Sequence, residues 1–463
     1  MSDFTARRVG VALVGFVGVA LTLAVATGTA GAAGKAVAAP AGITKATKAD
    51  LQVLLGTDPS DATHGTALNE TLAPAASLSK VLGTRVVVTQ TQRMSEVLRA
   101  SRTLENAVII APAHVTASAL LHAYTLLATR GDEQVYALVA RTGITSVEQL
   151  KGTRLYLPQQ DSLRSYVAKG LLQESGVKLS QFKQVTYGNT SAAGLVALSF
   201  GLADATITDA AQARDWLLAH PGEATLLKST RPVPGGMSLV VRKDLCATDC
   251  TRLTQWLRSP DGVISGIGGF KLAGPDSAAR FAYVASLGIA TPDALTGVKR
   301  VTAWQVAALL GQSTDPLTGP PTGPSTGQPV VVVDTRSAKE FASEHIKGAV
   351  SLPYLERSLK EVDFDATQDD FSALGATPKT ATLVFLCNGP ECWKSYKASK
   401  FALAAGYSNV HWFRGGMPEW RARQMAVEAS QDAGVAAGAV PGAPVPVPVA
   451  TVKVHPVVAR TTR

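Results

Sequence analysis

Short apolar runs alternate with helix-like segments along most of the chain. Runs rich in β-branched residues, such as "TRVVVTQT" (84–91) and "AVIIAPAH" (107–114), flank a segment of helical periodicity, "RMSEVLRASRT" (93–103). Strands that alternate with helices predict parallel sheets with helices on both faces. The pattern therefore predicts an α/β fold.

This alternation starts again near the middle of the chain. A strand-like run, "EQVYALVART" (133–142), leads into a second series that begins at "SVEQLKGTRLYLP" (146–158). A repeated series of strands and helices predicts two similar lobes. We expect these lobes to cover residues 50–296 and to enclose a cleft between them.

A third α/β unit follows. A Thr-capped helix, "RVTAWQVAALLGQ" (300–312), precedes a Pro/Gly/Thr-rich stretch at 313–329, which cannot pack a core and is expected to form an exposed loop. Strands and helices then continue, so we place this unit at 298–427. The remaining residues, 428–463, are rich in Ala, Pro and Val without periodicity, and predict a disordered tail.

The N-terminal residues predict export. Residues 1–38 combine a basic start, a long uncharged apolar run and small residues suited to cleavage, which is the pattern of a secretory signal peptide. The apolar run also approaches the length of a membrane span, so an uncleaved anchor is the alternative. Residues 39–49 connect this segment to the first lobe, and we expect the rest of the chain in the periplasm.

Charge adds little about partners. The chain of 463 residues has a formal net charge of +9, but its basic residues are scattered singly rather than grouped with aromatic residues. That distribution argues against nucleic-acid binding. A mild basic excess suits small anionic ligands.

The four cysteines fall into two close pairs, and an oxidising compartment favours their pairing. Cys246 and Cys250 are close enough in sequence for a local disulfide. Neither pair is accompanied by His, Asp or Glu at zinc spacing, so no metal site is predicted.

The second pair lies in "FLCNGPECWKS" (385–395), where Cys387 ends an apolar strand and a Gly/Pro turn leads into a helix. Reactive groups in α/β sheets cluster beyond the carboxyl ends of strands. Backbone N–H groups and the positive end of the following helix stabilise a thiolate and a bound anion there. Lys394 would add positive charge.

Residues 298–427 resemble the rhodanese (sulfurtransferase) family. The Asp-Thr-Arg strand end (334–336), the His-Ile-Lys-Gly-Ala turn (345–349), the cysteine loop and "RGGMPEW" (414–420) occur in that family's order. The resemblance implies a rhodanese fold with a parallel sheet. It also implies that Cys387 takes sulfane sulfur from a thiosulfate-like donor as a persulfide, and passes it to a thiol or other thiophilic acceptor.

The resemblance also implies roles for the neighbouring residues. The loop that binds the anionic end of the donor would comprise Asn388, Gly389, Pro390, Glu391, Trp393 and Ser395. Asp334 and Arg336 would brace the loops around the site. Because His345 stands in a structural turn, we expect it to form a hydrogen bond; the alternative is a general base.

Cys392 departs from the family pattern, because many members have Arg or Lys at this position. One interpretation is that Cys392 attacks the persulfide on Cys387, which leaves a disulfide and releases reduced sulfur. The other is that Cys392 packs on the inner face of the following helix.

Residues 50–296 resemble the phosphonate/phosphate-type binding proteins of ABC transporters, the PhnD-like group. The resemblance rests on segments such as "LKGTRLYLPQQDSLRSYVAKGLL" (150–172), whose hydroxyl-rich turn starts a helix. Helix starts bind oxyanions through backbone N–H groups. The expected ligand-binding residues are Thr57, His114, Ser162, Arg164, Ser165, Tyr166, Asn189, Thr190 and Asp209. The alternative for Ser162 and Thr190 is that they are ordinary N-caps.

Together these patterns predict an exported sulfurtransferase fused to a receptor for a small anionic sulfur or phosphorus compound. An ABC permease or a sensor protein is the expected macromolecular partner, and no cofactor is implied. Two alternatives remain: a non-catalytic solute receptor whose rhodanese module senses or docks, and a thiol–disulfide module that uses Cys387 and Cys392.

Overall fold

The structure is a computed structural model that describes residues 50–60, 72–262, 269–312 and 329–430. The predicted signal peptide and connector, nearly all of the Pro/Gly-rich loop and the tail beyond Ser430 lie outside these ranges. Within them, no helix has the length and apolar character needed to cross a membrane.

The strands are β1 (Leu51–Gly56), β2 (Val86–Thr91), β3 (Val108–Pro112), β4 (Tyr124–Arg130), β5 (Glu133–Gln134), β6 (Tyr136–Arg141), β7 (Arg154–Leu157), β8 (Gln184–Tyr187), β9 (Ala205–Asp209), β10 (Ala224–Ser229), β11 (Val233–Pro234), β12 (Met237–Arg242), β13 (Lys271–Leu272), β14 (Lys299–Arg300), β15 (Val330–Asp334), β16 (His345–Ile346), β17 (Val350–Ser351), β18 (Thr382–Leu386), β19 (Asn409–Phe413) and β20 (Val427–Glu428).

The α-helices are α1 (Leu72–Leu82), α2 (Met94–Thr103), α3 (Ala113–Leu121), α4 (Leu163–Gln173), α5 (Ala192–Ser199), α6 (Ala210–Ala219), α7 (Lys243–Arg258), α8 (Pro260–Gly262), α9 (Ala282–Ser286), α10 (Ala303–Leu309), α11 (Ala338–Ser343), α12 (Trp393–Ala404) and α13 (Gly416–Ala422).

Two sheets form the two predicted lobes. The first has the strand order β13-β4-β12-β3-β1-β2, and the second has the order β10-β6-β9-β7-β8. Strand β12 runs antiparallel to β3 and β4, and β6 runs antiparallel to β9 and β10. The prediction of parallel sheets is therefore wrong for part of each lobe, because the strand that follows each crossing between the lobes, β6 or β12, runs against its neighbours.

The crossings meet in a small antiparallel ribbon of β5 and β11. The predicted strand at 133–142 is broken here into β5 and β6, so that one part joins the ribbon and the other joins the second sheet. Gly236 has a φ of +62°, and a Cβ at this position would overlap the carbonyl oxygen of Arg130. The close approach of the two crossing segments thus requires glycine.

The C-terminal unit has a five-stranded, all-parallel sheet in the order β14-β19-β18-β15-β17. This confirms the predicted architecture, two α/β lobes followed by a third α/β domain with a parallel sheet. Strand β18 is central in the sheet and fully buried, so its carboxyl end is firmly placed. The Thr-capped helix predicted before the loop is α10, whose cap is Thr302.

The folded chain continues slightly past the predicted start of the tail. Strand β20 pairs with β16, and the backbone N–H of Ser430 donates to the carbonyl of Ala342. Glu428 and Ser430, both assigned to the tail, are therefore bonded to the C-terminal domain.

The binding-protein and rhodanese-like parts form one compact unit. The main apolar core spans α3, α4 and the segment from Phe281 to Ile289, and Leu359 from the C-terminal domain packs against it. This contact brings the C-terminal domain to the face of the lobes that carries α3 and α4.

Candidate functional site

The cysteine loop joins β18 to α12. Strand β18 ends at Leu386, so Cys387 is the first residue beyond the carboxyl end of a buried strand. Cys387 and Cys392 form a disulfide with a Cα–Cα distance of 6.1 Å. Cys392 is the residue immediately before α12. The two sulfurs thus share one loop, and only 2% of Cys387 is exposed.

Neighbouring elements hold the loop's first residues in place. The backbone N–H and the hydroxyl of Thr335 both donate to the carbonyl of Leu386, at 3.1 and 2.9 Å. The N–H of Met417 donates to the carbonyl of Cys387 at 3.0 Å. Gly416 has a φ of +55°, and a Cβ there would overlap the same Cys387 carbonyl. The Gly-Gly turn is thus needed for close approach to the cysteine loop.

Asp334 and Arg336 form a fully buried ion pair at the end of β15. The Arg336 Nη2 atom lies 2.7 Å from the Asp334 Oδ2 atom and also donates to the carbonyl of Glu344 at 2.6 Å. Asp334 pairs in register with Leu386, the residue before Cys387. This placement fits the bracing role expected for the pair.

Two residues expected near the donor face away from the cysteines. The Lys394 Nζ atom donates to the carbonyl of Tyr354 at 2.6 Å, and burial lowers the pKa of this lysine. The Ser395 hydroxyl accepts a hydrogen bond from the Trp412 indole N–H at 3.1 Å. The structure therefore directs Lys394 and Ser395 towards the domain's own core rather than towards the loop.

His345 also has structural partners. Its Nδ1 atom lies 2.7 Å from the carbonyl of Phe341, and its ring stacks on the Phe341 ring at 3.8 Å. Its Nε2 atom lies 3.4 Å from a carboxylate oxygen of Glu428. These contacts tie β16 to α11 and to β20.

Glu391, in the middle of the cysteine loop, is bound by the N-terminal domain. The His122 Nε2 atom lies 2.9 Å from both carboxylate oxygens of Glu391, and the Ser118 hydroxyl donates to one of them at 3.2 Å. Burial raises the pKa of Glu391, but the hydrogen bond and charge of His122, with the charge of Arg102, lower it by more. Glu391 is therefore held as a carboxylate.

Other loop atoms are bound in the same way. Thr291 donates from its N–H and its hydroxyl to the carbonyl of Pro390, at 2.8 and 2.7 Å. The Trp393 indole N–H donates to the carbonyl of Ile289 at 3.2 Å, and the Lys169 ammonium lies 4.5 Å from the centre of the Trp393 ring. The loop therefore packs against both the second lobe and the connecting segment, which is the stretch 287–298 between α9 and β14.

Asn388 links the cysteine loop to the first lobe indirectly, through Glu340 of the C-terminal domain. Its side-chain amide donates to the Glu340 carboxylate at 2.6 Å, and Arg99 of α2 lies 3.4 Å from the other oxygen of Glu340. Burial raises the pKa of Glu340, and Ser337, Arg99 and Asn388 lower it by more. Glu340 thus links the loop to the first lobe as a charged group.

The second lobe contains a cavity of about 640 Å³. Its wall includes Arg164 at the start of α4, Ser191 before α5, and Asp209 and Trp216 around α6. The Arg164 Nη2 atom lies 2.7 Å from the Asp209 Oδ2 atom. Three helix starts and an arginine therefore surround this space, and helix starts favour bound anions.

A carboxylate from the first lobe already lies at the start of α4. The N–H of Leu163 donates to the Asp58 carboxylate at 3.3 Å, and the N–H of Ser60 donates to the same group at 2.9 Å. The Ser162 hydroxyl accepts from the N–H of Ser165 at 3.2 Å and so caps α4. The Ser165 hydroxyl donates to the carbonyl of Gln159 at 2.8 Å. The structure thus gives Ser162 the geometry of an ordinary N-cap.

A second cluster of buried polar side chains lies around Asp161, just before α4. The Tyr166 hydroxyl donates to Asp161 at 3.0 Å, and Lys360 of the C-terminal domain lies 2.6 Å from the same oxygen. His114 is fully buried, with its ring centre 5.8 Å from that of Tyr166. Burial lowers the pKa of His114 by more than the charges of Asp58 and Asp161 raise it.

Three further sequence-predicted residues lie apart from the cavity wall. Thr57 is buried next to Asp58, and its backbone N–H continues the β1–β2 pairing by donating to Thr91. Asn189 and Thr190 are exposed, and Thr190 accepts from the N–H of Ala193 at 3.3 Å, as a cap does.

Several interface residues had no sequence signal of their own. Ser118 and His122 lie in and just after α3, Thr291 lies in the connecting segment, and Lys360 lies in a loop of the C-terminal domain. Thr335 stands between Asp334 and Arg336, and its position beyond a strand end was the signal that could have identified it.

The remaining cysteines are remote from this loop in sequence. Cys246 and Cys250 form a disulfide within α7. Among the described residues there is no group of His, Cys, Asp and Glu side chains arranged to hold a metal ion.

Two family models match the chain. Residues 60–262 match the family described as "ABC transporter, phosphonate, periplasmic substrate-binding protein", and residues 324–423 match the rhodanese-like domain. Both resemblances inferred from the sequence are thereby confirmed. No curated protein sequence matches the chain.

Solved structures similar to this chain include several binding proteins. PhnD1 from Prochlorococcus marinus, in complex with methylphosphonate, has 15% identity and a TM-score of 0.38, over 52% of this chain and 97% of that one. A binding protein component of an ABC phosphonate transporter from Pseudomonas aeruginosa has 12% identity and a TM-score of 0.38, over 51% and 85%. The periplasmic aliphatic sulphonate binding protein SsuA from Escherichia coli has 14% identity and a TM-score of 0.30, over 51% and 86%.

Proposed function

Because the chain joins a PhnD-like phosphonate-binding domain to a C-terminal rhodanese-like domain, we propose that it is an exported sulfurtransferase fused to an anion receptor. The observation that carries the proposal is the position of Cys387. It lies directly beyond the end of β18, in a loop that leads into α12, and it is bonded to Cys392 of the same loop. A periplasmic-type binding domain accords with export.

The chemistry starts with reduction of the Cys387–Cys392 disulfide by an external dithiol, which gives up two electrons and becomes oxidised. The Cys387 thiolate then attacks the outer sulfur of a thiosulfate-like donor. The S–S bond of the donor breaks, sulfite leaves with the electron pair, and Cys387 carries a persulfide. The start of α12 stabilises the negative charge of the thiolate.

Cys392 gives the persulfide an exit inside the protein. Its thiolate attacks the Cys387 sulfur, the disulfide re-forms, and the outer sulfur leaves as hydrosulfide. One thiosulfate and one dithiol are then converted to sulfite, hydrosulfide and the oxidised dithiol. Direct transfer of the outer sulfur to a thiophilic acceptor such as cyanide is the competing path.

The N-terminal domain would bind a small oxyanion of phosphorus or sulfur in the cavity of the second lobe. Arg164, which Asp209 also contacts, would provide positive charge, and the starts of α5 and α6 would provide backbone donors. An ABC permease or a sensor protein would be the partner of this domain.

Burial of the cysteine loop favours a second candidate, a non-catalytic receptor. With Cys387 only 2% exposed and Glu391 bound by His122, the rhodanese-like domain would then serve to dock or sense. In that case the loop would report the state of the N-terminal domain rather than process sulfur.

Mass spectrometry of the full-length protein tests the proposal. Protein reduced with a dithiol and then freed of it is incubated with thiosulfate, and the peptide containing Cys387 is analysed. We expect a gain of one sulfur atom on Cys387 in the Cys392→Ser variant, and hydrosulfide release without lasting gain in the wild type. Cys387→Ser is the control and should do neither. No sulfur gain in Cys392→Ser and no hydrosulfide from the wild type would support the receptor instead.

A further inference from the structure

Glu391 is the residue of the cysteine loop whose side chain is bound by the N-terminal domain. Its carboxylate is bound by His122 at 2.9 Å through both oxygens and by Ser118 at 3.2 Å. Only 3% of the Glu391 side chain and 9% of the His122 side chain are exposed. Because these distances are short and both side chains are buried, α3 and the residue after it form a binding site for the Glu391 carboxylate.

The His122 ring also lies close to the loop at Gly389. Gly389 has a φ of +84°, and a Cβ at this position would lie 3.3 Å from the His122 Cε1 atom. The ring thus covers the loop two residues after Cys387 as well as binding Glu391. This coverage is independent of the ion pair.

A second tie holds Pro390, the residue before Glu391. Thr291 donates twice to the carbonyl of Pro390, and Arg414 donates to the hydroxyl and carbonyl of Thr291 at 3.2 and 2.6 Å. Pro390 and Glu391 are adjacent, so consecutive residues of the loop are fixed by the connecting segment and by α3. A loop held at both residues cannot open without breaking both sets of bonds.

We propose that the N-terminal domain latches the cysteine loop shut through Glu391, and that release of this latch controls access to Cys387. The inference rests on the proposed function for its biological meaning, because access matters when Cys387 must meet a donor. The latch itself is a property of the interface. It predicts that Cys387 is slow to react in the intact protein even after the disulfide is reduced.

Two substitutions remove the latch in different ways. Glu391→Gln keeps the shape of the side chain but removes the charge that His122 pairs with. His122→Ala removes the ring from both Glu391 and Gly389, and leaves a buried carboxylate without its main partner, which is strongly unfavourable. Both changes should shift the loop towards an open state.

The matched control is another ion pair between the same two domains. Lys178 of the second lobe lies 2.8 Å from Asp363 of the C-terminal domain, and both side chains are about half exposed, at 48% and 49%. Exposed pairs contribute little. Lys178→Ala therefore removes an interdomain contact without touching the loop.

The experiment measures the rate at which iodoacetamide alkylates Cys387 in full-length reduced protein, by mass spectrometry of the loop peptide. The Cys392→Ser background leaves one thiol in the loop. We expect Glu391→Gln and His122→Ala each to speed alkylation about 10-fold. This factor corresponds to a decrease of about 1.4 kcal/mol in the free energy of loop opening. Lys178→Ala should change the rate less than about 2-fold.

Equal alkylation rates in the parent and both latch variants, with all proteins folded by circular dichroism, would overturn the proposal. Should His122→Ala not fold, Glu391→Gln decides alone. Alkylation needs no sulfur donor, so a failure of sulfur transfer leaves this result intact. Conversely, sulfur gain on Cys387 with unchanged alkylation rates would support the sulfurtransferase and refute the latch.

Discussion

The Nζ atom of Lys360, in the C-terminal domain, lies 2.6 Å from the Oδ1 atom of Asp161, two residues before α4 of the second lobe begins. The same oxygen accepts from the Tyr166 hydroxyl. Burial raises the pKa of Asp161, but Lys360, Tyr166 and His114 together lower it by more, and Lys360 has the largest part in this. The helix whose Arg164 lines the cavity is therefore anchored at its start by the rhodanese-like domain.

Replacing Lys360 with Met should destabilise the protein by about 2 kcal/mol, between the values typical of exposed and buried ion pairs. Asp161 would keep only Tyr166 as a partner in a largely buried position. Urea unfolding at neutral pH measures the change. In the double variant with Asp161→Asn, part of the loss should be recovered, because no unpaired carboxylate remains.

The control is Lys178→Met, which removes the exposed pair with Asp363 and should change stability little. A Lys360→Met protein no less stable than Lys178→Met would show that the Asp161 contact does not hold the domains together.

The sequence was most informative where the controlling interactions are local. The run before Cys387 predicted a buried strand, and β18 ends at Leu386, immediately before the cysteine. Apolar runs, caps and turn residues act over a few positions, so they specify elements and strand ends. Strand direction is not carried by such patterns, which is why the antiparallel strands β6 and β12 were not predicted.

The interface could not be predicted for a related reason. Lys360 and Asp161 are 199 residues apart, and His122 and Glu391 are 269 apart. No spacing rule relates residues at that separation, because their contact depends on how complete domains pack. The same holds for Asp58, which reaches the start of α4 from the other lobe.

Lys169 should make stability depend on pH in the alkaline range. Burial lowers its pKa to about 8 from an ordinary 10.5, although Glu361 opposes the shift. Between these values the unfolded chain binds more protons at this site than the folded protein, so stability should rise with pH, by at most about 3 kcal/mol. The contribution is constant below about pH 8.

Thermal melting of wild type and Lys169→Met at pH 7.5 to 10 measures this contribution. Because other tyrosines and lysines titrate in both proteins, the informative quantity is the difference in melting temperature. We expect the wild type to gain about 4 °C or more relative to the variant across the range. A difference that stays constant with pH would contradict the lowered pKa.

Glu391 should give a pH dependence of the same sign as Lys169, but in the acid range. Its pKa lies below the ordinary value of 4.5, so its stabilising contribution is complete above that value and is lost as pH falls through the lowered pKa. His122 and Arg102 are the charged groups acting on it. The melting temperatures of wild type and Glu391→Gln should differ at about pH 6 and converge towards about pH 3.

Both proteins share every other carboxylate, so acid unfolding from those groups cancels in the comparison. A difference that widens as pH falls would mean that Glu391 is more easily protonated in the folded protein than in the unfolded chain, contrary to the pairing with His122.

Gly416→Ala should disrupt the cysteine loop far more than a comparable change elsewhere. Gly416 has a φ of +55°, and an added Cβ would overlap the Cys387 carbonyl. The left-handed conformation alone costs an alanine about 1 kcal/mol, and displacement of the loop should bring the total to about 3 kcal/mol.

Gly406 is the matched control: its φ is +86°, but no atom lies within 4 Å of an added Cβ. Urea unfolding should therefore show a loss near 1 kcal/mol for Gly406→Ala. Equal losses in the two variants would mean that Gly416 serves only its own turn and not the position of Cys387.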